Sequence, residues 1–141
     1  MKVVGFNFRK ISVEKDSEVK PGVKVNTNIE IKEVNNQKSD IFGDKDVFNF
    51  EYEFSISYEP KYAKIVFGGS ILALIEDEKL EKEVKESWKK KILPDDLKIQ
   101  LMNIIFSRCN VKALQLEEDT NLPPHLPSPK FAKQQKSGED K

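Results

Sequence analysis

Large apolar side chains occupy every even position from 48 to 58: Phe48, Phe50, Tyr52, Phe54, Ile56 and Tyr58. Between them stand only polar residues, Asn49, Glu51, Glu53, Ser55 and Ser57. Strict alternation is the period of a β-strand, whose successive side chains point to opposite faces. Burying each large apolar group is worth roughly 1.5–3 kcal/mol, so this face is not left in water. The central aromatics Phe48, Phe50, Tyr52 and Phe54 are therefore read as core. A chain built around such a strand needs neighbouring strands for its backbone and a second layer over its aromatic face.

The rest of the sequence supplies both. Residues 3–13 are strand-like but shift phase: Phe6 and Phe8 share one face, Ile11 and Val13 the other, and a bulge near Arg9-Lys10 would reunite them. Lys20-Pro21-Gly22 is turn chemistry, and residues 23–31 alternate cleanly through Val23, Val25, Thr27, Ile29 and Ile31. Residues 35–46 read as a polar loop holding Gly43, with Ile41 and Phe42 as anchors. Glu59-Pro60-Lys61 closes a hairpin into a fourth strand, residues 62–75, where Gly68-Gly69 marks a bend or a close backbone approach. Acidic Glu76-Asp77-Glu78 opens a helix with Leu80, Val84, Trp88 and Ile92 at four-residue spacing. Leu93-Pro94-Asp95-Asp96 restarts the chain into a second helix carrying Leu97, Leu101, Ile104, Ile105, Cys109, Ala113 and Leu116. The predicted fold class is α+β: a four-stranded antiparallel sheet followed by two helices packed on one face. One domain is expected over residues 1–131, with 132–141 a disordered tail.

Charge and motifs exclude more than they assign. Twenty-four basic residues balance 24 acidic ones, which removes the electrostatic reason to expect nucleic acid. The longest nearly uncharged run, residues 65–75, is too short to cross a bilayer, and the charged first twenty residues hold no signal-peptide segment. One cysteine, Cys109, gives no disulfide framework, so a reducing cytoplasm is the expected compartment. Neither phosphate-cradling glycine motif is present, and no cofactor or metal is expected. His125, the sole histidine, reads as a solvated loop residue, Cys109 as a core residue, and Glu117-Glu118-Asp119 as a solvated helix end. With no acid, base and nucleophile set, catalysis is not predicted.

Surfaces remain. Tyr58 and Tyr62 flank the proline hairpin, and with Trp88, Phe106 and Phe131 they are the candidate polypeptide-binding aromatics. The competing reading of Trp88 and Phe106 is packing between helices.

Several local motifs resemble the SecB family of export chaperones. Phe8-Arg9-Lys10-Ile11-Ser12-Val13-Glu14 is similar to the family's first strand, and residues 23–34 and 47–58 to its second and third. Phe67-Gly68-Gly69-Ser70-Ile71 is similar to its fourth strand. Leu93-Pro94-Asp95-Asp96, then Ile104-Ile105-Phe106-Ser107-Arg108, resemble the family's break and helix. Leu122-Pro123-Pro124 and the stretch to Phe131 are similar to its proline-rich segment.

The resemblance spans residues 3–131 and implies an ATP-independent holdase for unfolded or precursor proteins. It further implies a homotetramer, a dimer of dimers with helices sandwiched between outer sheets. Residues 132–141 are too polar for the family's terminal amphipathic helix. The family's acidic sheet face for the SecA motor is replaced by Glu30, Glu51 and Glu53 mixed with Lys24, Lys32 and Lys64, so that partnership is not carried over. Two alternatives stand beside the general holdase. One is a chaperone dedicated to a single partner such as an antitoxin. The other is a carrier of a small hydrophobic ligand, with its cavity between Phe50, Phe54, Phe67 and the second helix.

Overall fold

A computed structural model describes residues 1–16, 22–38, 46–127, 129 and 131–133. Four strands, β1 (Lys2–Lys15), β2 (Lys24–Lys38), β3 (Asp46–Glu59) and β4 (Ala63–Leu74), precede helices α1 (Glu78–Trp88) and α2 (Asp95–Asp119). The sheet is antiparallel throughout, in the order β1-β4-β3-β2. The aromatic strand β3 and the apolar β4 therefore lie in the middle. The two less apolar strands form the edges, where half of each backbone's hydrogen-bonding groups face outward.

Three register shifts interrupt the pairing, one between Val3 and Gly5 and two that correct strand phase. At Arg9 the register with β4 slips between Phe8↔Gly69 and Lys10↔Gly68. Phe6, Phe8, Ile11 and Val13 consequently oppose Ile71, Gly69, Phe67 and Ile65 on the same side of the sheet, the arrangement the phase shift calls for. Arg9 itself reaches the outer face and meets Glu51 at 3.1 Å. At Lys32 a second slip brings Val34 opposite Phe50. That bulge lets β2 run on through residues 35–38, read from sequence as loop, because Asn35 and Gln37 pair by backbone with Asn49 and Val47. Residues 39–45, with the expected anchors Ile41 and Phe42, lie outside the described residues, as do Lys20-Pro21 and 134–141.

The β3 stripe is buried from end to end: Phe48, Phe50, Tyr52, Phe54, Ile56 and Tyr58 all fall at 2% exposure or less. Phe54 and Phe67, directly opposite, stack with ring centroids 5.8 Å apart. Glycine at 69 answers to a close approach. Tyr52 stands opposite, its hydroxyl donating to the Asn7 carbonyl at 3.2 Å, and a Cβ on Gly69 would overlap that same carbonyl oxygen.

Both helices contribute to the layer over this face. Asp77 caps α1 by accepting the Lys79 N–H at 3.0 Å, and Glu81 pairs with Lys85 at 2.9 Å. From α1 only Val84 is fully buried; Leu80 and Trp88 pack partly, while Ile92 beyond the helix end is 60% exposed. The longer α2 buries Leu97, Leu101, Ile105, Cys109, Ala113 and Glu117, each four residues after the last. A four-residue repeat gains about 40° per step on a helix of 3.6 residues per turn, so the buried line winds around α2. Its far side leaves Ile99, Phe106, Val111 and Leu114 exposed. Among the described residues no helix is long and apolar enough to cross a membrane.

Candidate polypeptide-binding trough

The candidate site is built where α1 ends beside the sheet edge. Lys91 takes a left-handed backbone conformation (φ 60°), and its N–H donates to the Trp88 carbonyl at 2.8 Å. Ile92 N–H then reaches back to the Ser87 carbonyl at 3.2 Å, the paired bonds of a Schellman helix stop. That turn directs Leu93 into the core and Ile92 into solvent. A residue other than glycine is strained here, and the Lys91 side chain has two local attractions. Its ammonium lies 4.9 Å from the Trp88 ring centroid and 3.3 Å from Glu33 on β2.

Between this turn and β2 lies an open hollow of about 260 Å³, lined by Ile29, Ile31, Trp88, Ile92, Leu93 and Met102 with Glu30, Lys91 and Lys98. A second hollow of about 160 Å³ lies where Val34, Asn36, Phe48, Val84 and Lys85 surround the same tryptophan. Trp88 thus divides one trough along the β2 edge. Its indole N–H is buried without a hydrogen-bond partner. Glu30, by contrast, is engaged: Lys32 binds it at 2.8 Å and Asn28 donates to it at 3.0 Å, holding its carboxyl below the usual range.

The other expected aromatics lie elsewhere. Tyr58 offers no surface at 1% exposure, because its hydroxyl is drawn inward. That hydroxyl lies 2.6 Å from both Glu117 Oε2 and the Pro123 carbonyl oxygen, and donates its one proton between them. Burial first, then the Glu117 hydrogen bond, pushes its pKa well above the tyrosine range. Half-buried Tyr62 is fixed by its backbone, whose N–H donates to the Tyr58 carbonyl at 3.0 Å and whose carbonyl accepts from Asp16 N–H at 2.8 Å. Phe106 is on the outer side of α2 at 36% exposure, and Phe131 is fully exposed. Tyr58 and Trp88 do not share one surface. Tyr58 is six residues along β3 from Tyr52, the register partner of trough residue Ile31, or roughly 20 Å away.

Two solvated residues of the sequence reading are in fact interior. Glu117 is 2% exposed, and the His125 side chain is 0% exposed. His125 Nδ1 lies 3.0 Å from both carboxylate oxygens, its backbone N–H donates to Oε1 at 3.3 Å, and its ring meets Phe54 edge-on. This cluster clips the segment after α2 onto the sheet. Lys15 adds a bond from β1 to the Thr120 carbonyl at 3.0 Å, placing a cation at the negative end of α2. Glu117 was findable, being the next member of the series Leu97 to Ala113; nothing in the sequence marks a lone histidine as its partner. Cys109 is buried beside Tyr52, and burial pushes its thiol up to about 12.

No family model and no curated protein matches the sequence. Among solved structures, the chain resembles a SecB-like chaperone of Mycobacterium tuberculosis, in complex with a ChAD peptide from an antitoxin, with a TM-score of 0.56. The alignment covers 95% of this chain and 92% of that one at 14% identity. The fold is SecB-like. At that identity the likeness carries architecture: four antiparallel strands followed by two helices.

Proposed function

We propose that the protein is an ATP-independent chaperone that holds extended, apolar stretches of unfolded or precursor polypeptide in the trough beside Trp88. The observation that carries this reading is an open, apolar-walled trough on a SecB-like scaffold, beside a sheet edge. Nucleotide has no part in it, since holding needs only accessible apolar surface that binds non-native chains in preference to folded ones. In the cytoplasm, a homotetramer built as a dimer of dimers would repeat the trough, letting weak contacts on one client add through effective concentration. Exposed Ile99, Phe106, Val111 and Leu114 on α2 give such an assembly an apolar face to cover.

A second reading narrows the client to one partner such as an antitoxin, and the peptide bound to the mycobacterial protein favours it. The carrier reading has less to stand on, because stacked Phe54 and Phe67 fill the space where its cavity would lie. Aggregation of a denatured client, followed by light scattering at stoichiometric protomer, tests the proposal. Suppression is expected, with binding to the denatured and not the native client; no suppression removes it. Pull-down and mass spectrometry separate a spread of unfolded chains from one dominant partner.

A further inference from the structure

The polar groups around the trough are unequally committed. Glu30 is matched by Lys32 and Glu33 by Lys91, so those charges cancel in pairs. In the smaller hollow Lys85 holds Glu81 and Asp46, and Asn36 also donates to Asp46. One charged donor facing the hollow is left over. Lys98, on the first turn of α2, lines the larger hollow and makes no ion pair among the described residues, although Asp95 and Asp96 share that turn. The Trp88 indole N–H is buried and unbonded. Walls of Ile29, Ile31, Ile92, Leu93 and Met102 surround these two groups, and no acceptor lining the larger hollow is left uncommitted except backbone.

A trough with an unpaired ammonium at its wall is complementary to an occupant that brings an acceptor. The indole N–H is buried behind the trough wall, so the ring offers an occupant apolar surface rather than a hydrogen bond. The exposed ammonium of Lys98 calls for a carboxylate, a pairing that is modest in strength and sensitive to salt. Spacing adds a second constraint. The hollows are centred near β2 positions 30 and 35, and one residue between them is taken up by the bulge, so they lie roughly 13 Å apart, four residues of extended chain.

We infer that the trough selects an extended polypeptide segment with two apolar side chains four residues apart and an acidic residue beside the one nearer Lys98. This rests on the proposed polypeptide-holding function and specifies its client. Lys98 is the specificity-determining residue, and Trp88 is the wall that both apolar side chains touch.

Trp88 is the only tryptophan in the chain, so its emission reports occupancy directly. The test titrates full-length protein with three tryptophan-free peptides that share the two apolar residues and carry Glu, Gln or Lys at the flanking position. The Glu peptide is expected to bind about five- to tenfold more tightly than the Lys peptide at low salt, with Gln between. High salt should compress that ratio, and Lys98→Glu, an exposed substitution, should invert it. Equal binding of all three peptides overturns the selectivity and leaves the holding function intact. If no peptide binds while a denatured client is still held, the trough is not the site and the inference fails. If neither peptide nor client is held, the holding function itself fails.

Discussion

Two regions flank the covered sheet face and treat their polar groups in opposite ways. Near the β3–β4 hairpin, Glu117 is interior and bonded to both Tyr58 and His125, with Pro123 and Lys15 adding bonds across three parts of the chain, although His125 Nε2 is buried without a partner. Beside β2, Lys98 keeps its ammonium unpaired among the described residues at the wall of an open trough. A buried polar group without a partner costs about 1–3 kcal/mol, so the first arrangement closes a core. The second stores the same kind of capacity where an outside chain can use it. The difference separates aromatic residues that resemble one another in sequence: Tyr58 belongs to the closed end, Trp88 to the open one.

The comparison breaks most sharply if the closed end is opened. Glu117→Ala removes the acceptor for Tyr58, for the His125 ring and for the His125 backbone N–H at once. Denaturant unfolding is expected to show a loss of about 2–4 kcal/mol, since each buried donor left without its acceptor costs about 1–3 kcal/mol. A loss under 1 kcal/mol would mean that water replaces the carboxylate freely and the end is not closed.

Tyr58→Phe keeps the ring and deletes only the hydroxyl. Glu117 Oε2 and the Pro123 carbonyl then share no donor, and about 1–3 kcal/mol should be lost. The effect has a pH signature. Burial holds the Tyr58 and Tyr52 hydroxyls and the Cys109 thiol above their ordinary values, so in alkali the folded state keeps protons that the unfolded state releases. Unfolding therefore releases protons in alkali, and stability falls as pH climbs past the unfolded values of these groups toward their raised folded ones. Urea midpoints measured from pH 8 to 11 should decline for the parent and more gently for Tyr58→Phe; identical slopes would remove Tyr58 from the account.

These groups also show what the sequence could disclose. Alternation identified β3 because each side chain on one face is large and apolar, and the phase slip at Phe8–Ile11 already implied the Arg9 bulge. Residues 35–38 stayed hidden because strand pairing there is carried by backbone, and the exposed side chains of Asn35, Asn36 and Gln37 leave no period to read. Glu117 lies on a legible four-residue line but carries a charge, and charged residues are mostly exposed unless paired. The trough required the strand order, since only an edge β2 can be approached from outside. No residue type encodes that β1 lies beside β4 rather than beside β2.

The smallest stability effect belongs to the open end and is its most discriminating probe. Ile92 is 60% exposed at the rim of the trough, beyond the last turn of α1. Its side chain contributes little to the folded state, so Ile92→Ser should shift the unfolding free energy by no more than about 0.5 kcal/mol, as for surface substitutions generally. The same change removes apolar wall from the surface a client would cover, and suppression of client aggregation should weaken measurably. Glu117→Ala predicts the reverse pairing, a large loss of stability with the trough walls untouched. If Ile92→Ser leaves aggregation suppression unchanged while Phe106→Ser abolishes it, clients engage the outer side of α2 rather than the β2 edge. The open end would then have to be moved to that helix face.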